Sequence, residues 1–126
     1  MTTIDRRRRA TPYPREEGRY IWKGVEYELT TPSMILKIIN SVDDSKDGHY
    51  YPLGRFLAED DGIWVAVDNE CGCAWTEEFY NKTVALNWLC TSMYGDTERA
   101  HEVDRATTAR NETIRAKEEE LRRRPS

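Results

Sequence analysis

Leu53-Gly54-Arg55-Phe56-Leu57-Ala58, then Glu59-Asp60-Asp61-Gly62, then Ile63-Trp64-Val65-Ala66-Val67 is the stretch whose reading decides the fold. A largely apolar run carrying Phe56 and a run rich in β-branched and aromatic residues flank an Asp-Gly pair, which is a strong hairpin signal because both residues tolerate positive φ. Asn69-Glu70-Cys71-Gly72 follows with residues suited to a second turn, and Cys73 to Phe79 returns. The pattern predicts a three-stranded antiparallel meander. If its second hairpin closes symmetrically about Glu70-Cys71, Trp64 faces Glu77 and Ala66 faces Trp75. Arg55, Trp64, Asp68, Trp75 and Glu77 then share one face with Leu53 and Leu57, while Phe56, Ala58, Val65, Val67 and Ala74 share the other.

Working outward, Arg19 to Trp22 and Val25 to Leu29 read as two short strands about Lys23-Gly24, with Val25, Tyr27 and Leu29 on one face. Thr31-Pro32 is a helix start, a hydroxyl cap followed by Pro where its missing N–H costs nothing. Met34, Ile35, Ile38, Ile39 and Val42 recur at the spacing of one buried helical face, and Asp43 to Gly48 breaks it. Asn81 can cap a second helix striped by Ala85, Trp88, Leu89 and Met93 and stopped by Gly95. From Asp96 to Arg124 helix formers dominate. Val103, Ile114 and Leu121 are spaced for a coiled-coil seam, but Thr107, Arg110 and Lys117 interrupt it, so a solvated helix is the better reading.

The fold class is therefore α+β: a β-hairpin, a helix, a three-stranded meander, a helix and a polar C-terminal helix, built on a small antiparallel sheet. The chain divides into a basic arm over 1–18, an α+β domain over 19–95 and a polar helical tail over 96–126. Two helices are enough to cover one sheet face. Large aromatics carry most burial energy, which favours the Trp face as core. Cover on the opposite face would instead leave Trp and carboxylates for a partner.

Charge is segregated along the 126 residues. Residues 20–95 hold twelve Asp/Glu against five Lys/Arg, residues 1–19 hold six Arg against three acids, and residues 96–126 balance at eight of each. The net −4 thus conceals a domain near −7 behind a basic arm. All four Trp and both Phe fall between 20 and 95. A foldable unit of roughly 75 residues has a marginal core, and self-association often adds stability at that size, so a homodimer is one form to test. No apolar run approaches the ~20 residues of a membrane span, and no apolar stretch follows the N-terminal arginines as a secretory signal requires. Three cysteines make no disulfide framework, so a cytoplasmic setting is expected.

Cys71-Gly72-Cys73 looks like half a metal site that Cys90, His49 or His101 could complete, yet a zinc knuckle uses wider spacing and a second matched pair. No metal and no cofactor is expected. Neither His49 nor His101 sits in the context of a catalytic Cys/His pair, and no nucleophile, base and phosphate loop converge, so no catalytic residue is assigned and a non-enzymatic role is expected. The carboxylates offer more. Glu59, Asp60 and Asp61 stand at one turn, Asp68 and Glu70 at the next, and Glu77 and Glu78 on the returning strand beside Trp75. Successive meander turns lie at opposite sheet ends, so these acids form an array for a basic partner rather than one catalytic point. Exposed charge is also ordinary solvated surface. Arg6, Arg7, Arg8 and Arg9 could add a salt-dependent nucleic-acid contact, though no aromatics interleave with them to stack bases.

Gly62-Ile63-Trp64-Val65-Ala66-Val67-Asp68-Asn69 through Cys73-Ala74-Trp75-Thr76-Glu77-Glu78-Phe79, followed by a helix with Trp88-Leu89, resembles small uncharacterised phage and prophage proteins of Gram-positive bacteria. The resemblance implies a mobile-element accessory protein of the anti-CRISPR kind: a viral inhibitor that binds a host defence protein with a basic nucleic-acid channel, in the host cytoplasm. It carries no catalytic residues over. Two alternatives stand beside it, an oligomeric sponge for a nucleotide immune signal using donors such as Arg19 and Arg55, and a nucleic-acid-binding accessory protein using the Arg-rich arm.

Overall fold

The computed structural model describes residues 17–124. Among them run β1 (Gly18–Trp22), β2 (Val25–Thr30), α1 (Pro32–Asn40), a 3-10 turn (Ser41–Asp44), β3 (Gly54–Asp60), β4 (Ile63–Asn69), β5 (Trp75–Phe79), α2 (Lys82–Cys90) and α3 (Thr97–Arg123). The five strands form one sheet in chain order, which makes the fold α+β. Both two-residue hairpins follow from turn chemistry. Lys23 and Gly24 take φ of 50° and 84°, and Asp61 and Gly62 take 53° and 87°. Positive φ at both positions gives a turn whose twist matches that of the strands.

The sheet is mixed rather than wholly antiparallel. β2 and β3 pair in parallel through Glu28↔Phe56, Leu29↔Leu57 and Thr30↔Ala58. Parallel neighbours cannot be joined by a tight turn, so α1 serves as the crossover between hairpin and meander. Its start is as expected: the Thr31 hydroxyl accepts from Met34 N at 3.2 Å, with Pro32 at the first helical position.

The register of β4 and β5 corrects the expectation. Trp64 pairs with Phe79, Ala66 with Glu77 and Asp68 with Trp75, a slip of two residues from symmetrical closure. Ala74 at φ 50° and Gly72 at φ 83° lengthen the connection, so β5 begins at Trp75 rather than Cys73. Because side chains alternate with period two, an even slip preserves every predicted face.

Both faces of the central strands are covered, contrary to the expectation that helices cover only one. Tyr27, Leu29, Leu57, Ala66 and Phe79 pack under α2 residues Val84, Ala85, Leu86 and Leu89 and under Ala100 of α3. Phe56, Ala58 and Val67 pack under Ile35 and Ile38 of α1 on the other side. α2 stops at Cys90, short of Gly95: the Thr91 hydroxyl donates to Asn87 O at 2.7 Å and the backbone leaves in an extended conformation, so Met93 lies outside the helix and is exposed. α3 packs through Ala100, Val103 and Asp104, which carries the packed unit beyond residue 95. From residue 109 on, every described residue is exposed.

Candidate partner-binding surface

Asp60 and Asp61 are exposed at the tip of the β3–β4 hairpin, with Glu59 half-buried behind them. Fully paired strands hold this tip in place, from Gly54↔Asn69 to Asp60↔Ile63. Asp68, Glu70 and Trp75 lie at the opposite end of the sheet, as successive turns of a meander must. Trp75, on edge strand β5, is 65% exposed. The eight predicted contact residues therefore do not form one patch.

Three of them have structural occupations. Glu70 takes a bidentate grip from Arg55, Nη1 to Oε2 at 2.8 Å and Nη2 to Oε1 at 2.7 Å, while Arg55 Nε donates to Leu89 O at 3.2 Å. The fork ties the start of β3 to the turn after β4, and the Nε bond ties it to the end of α2. Asp68 Oδ1 accepts from Glu70 N at 3.3 Å and shapes the turn. Glu77 Oε1 lies 2.7 Å from His101 Nε2, whose ring stacks on Phe79 with centroids 4.7 Å apart. Glu78 is exposed on the opposite face of β5. Arg6 to Arg9 lie outside the described residues.

The domain's few cations are largely occupied too. Besides Arg55, the Lys82 ammonium sits 5.2 Å from the Trp64 ring centroid and Lys23 sits 5.7 Å from that of Trp22. Attraction to the ring quadrupoles holds both over aromatic faces. Neither Asp60 nor Asp61 makes an ion pair with a described residue.

Several structural residues carried no local signal. Asp104, 2% exposed, accepts from Tyr80 N at 2.8 Å, Asn81 N at 3.0 Å and Asn81 Nδ2 at 2.8 Å, so α3 supplies the acceptor at the start of α2. Asn81 holds the predicted cap position, but its own side chain reaches Asp104 and Thr108 instead. Asn69, fully buried, donates to Tyr50 O at 3.0 Å and Pro52 O at 2.8 Å and accepts from Ala74 N at 2.9 Å. Asp47 accepts from Ser45, Tyr51 and the His49 backbone, which hold its carboxyl well below the usual carboxylate range; the same bond to Asp47 raises the Tyr51 phenol.

A cleft of about 220 Å³ opens where β2 diverges from β3, lined by Arg19, Glu26, Glu28, Leu53, Phe56, Arg55 and Glu70 among others. Three carboxylates face two guanidinium groups there, and Arg55 is already paired. Among the described residues no group of three His, Cys, Asp or Glu is placed to hold a metal ion, and no helix is long and apolar enough to cross a membrane. The chain matches no family model, and no curated protein or solved structure matches it.

Proposed function

We propose that this protein is a non-enzymatic inhibitor of the anti-CRISPR kind. Its acidic hairpin tip enters the basic nucleic-acid channel of a host defence protein, in the cytoplasm of a bacterial host. The observation that carries the reading is the exposed Asp60-Asp61 tip, held by fully paired strands, on a stretch (20–95) of net −7 in which Lys23 and Lys82 lie over rings and Arg55 is held by Glu70. The likeness of residues 62–79 to phage accessory proteins directs the partner toward host defence. Glu59 supports the tip, and Glu78 extends the acidic surface along the edge strand. Glu70 and Glu77 serve the fold first, through Arg55 and His101.

The nucleotide-sponge reading fares worse. The cleft that holds Arg19 and Arg55 also presents Glu26, Glu28 and Glu70, and like charges repel a phosphate.

The test is charge reversal confined to the tip, D60K/D61K, which touches neither the Arg55–Glu70 fork nor the Glu77–His101 contact. The wild-type protein is expected to retain a basic nucleic-acid-binding protein from host lysate, with retention falling as salt rises, and the variant to lose it. Equal capture by both proteins would contradict the proposal.

A further inference from the structure

The strongest feature outside the acidic surface is the Cys71-Gly72-Cys73 turn. Both cysteines are exposed, and their Sγ atoms stand 3.6 Å apart. Their spacing is held by the fold. Gly72 is buried at φ 83°, and its carbonyl accepts from Tyr50 N at 3.0 Å. A Cβ at Gly72 would come within 2.8 Å of His49 Cβ, so only glycine permits the two loops to approach this closely. Asn69 fastens the far side by accepting from Ala74 N. Two thiols are thus presented side by side on a braced turn.

We propose that Cys71 and Cys73 form a surface dithiol chelate for a soft, thiophilic centre. With zinc–thiolate bonds of about 2.3 Å as the gauge, a 3.6 Å sulfur–sulfur span subtends an angle of roughly 100° at the bound atom, and the longer bonds of a larger ion subtend somewhat less. That is close to the tetrahedral value and far from linear, which favours a d10 dication such as Cd²⁺ or a pyramidal trivalent arsenic over linear two-coordinate copper(I). No third donor stands in place among the described residues, so the chain supplies two sulfurs and other positions go to water or to the ligand's own substituent. With a monosubstituted arsenic(III) oxide, two S–H bonds break and two As–S bonds form. The oxygen leaves as water with both protons, and nothing is oxidised or reduced. A dication likewise displaces two protons.

The test uses the full-length reduced chain with two probes, phenylarsine oxide and Cd²⁺. Intact mass should show one arsenical per folded chain, resistant to excess monothiol and removed by 2,3-dimercaptopropanol. C71S and C73S should each lose that resistance, and C90S should keep it. Cd²⁺ should bring thiolate-to-metal absorption and release two protons in wild type but not in C71S. An arsenical adduct without Cd²⁺ binding assigns the site to arsenic(III) alone, and both responses assign it to soft cations as well. The urea-unfolded chain should bind the arsenical about ten-fold more weakly, since the turn is then no longer preorganised. Absence of an adduct, equal labelling of C71S or C73S, loss in C90S, or equal affinity of the unfolded chain would each overturn the proposal.

Discussion

Asp104 shows how one residue far along the chain completes an element begun elsewhere. Its carboxylate accepts from two backbone N–H groups and a side-chain amide, some 23 residues back in sequence, at a site only 2% exposed. Replacing it by Ala leaves those donors buried and unmatched, so D104A should cost about 2–4 kcal/mol in urea denaturation. A loss within about 0.5 kcal/mol, the range of ordinary surface changes, would refute the assignment. Cys90 offers a pH test. Burial pushes its thiol up to about 11. In the unfolded chain it ionises near its ordinary value of about 9, so its contribution to stability is fully present below that value and lost as pH rises through about 11. Thermal melts should therefore drop between those limits, and C90A should flatten the decline. The residues that sequence rules reach are those acting locally: Thr31 before Pro32, and Asp61-Gly62 between two strands. Asp104, Asn69 and the Glu77–His101 contact were illegible because their partners are set by tertiary approach, which one sequence does not display.

At the scale of elements, the strands and helices were largely readable, and their connections less so. The alternation of apolar residues placed Leu57 and Ala66 opposite Phe56 and Val67 correctly, and a two-residue slip at the β4–β5 turn left that division intact. The slip arose because Ala74 adopts a positive φ that alanine rarely takes, so nothing in its identity announced a longer connection. The parallel pairing of β2 with β3 was missed for another reason. Residues 31–53 contain a nine-residue helix and irregular segments, and a strand-helix-strand order admits either hairpin-plus-meander or one continuous sheet. The long α3 divides in function at residue 109. Its first turns pack with α2 and β5, and the remainder is solvated, as its polar seam foretold. Removing residues 110–126 should thus leave stability within about 0.5 kcal/mol of wild type, read by denaturant midpoint. A truncation from residue 100 should abolish cooperative unfolding, because it removes Ala100 and Asp104 together.

For the whole molecule, the consequence of covering both central sheet faces is that recognition must fall on edges and turns. The aromatic face that might have served a partner is mostly spent on the core, with Trp75 left at one end and Asp60-Asp61 at the other. Charge segregation was visible in the sequence, but which acids remain unpaired was not, since Glu70 and Glu77 find partners across 15 and 24 residues. Their capture narrows the acidic array to Asp60, Asp61 and Glu78. The most direct test of that claim is calorimetric titration of the protein into its captured partner, first free and then preloaded with nucleic acid. The account predicts binding to the free partner that weakens with salt and is blocked by the bound nucleic acid. Equal affinity for the free and loaded partner would contradict it.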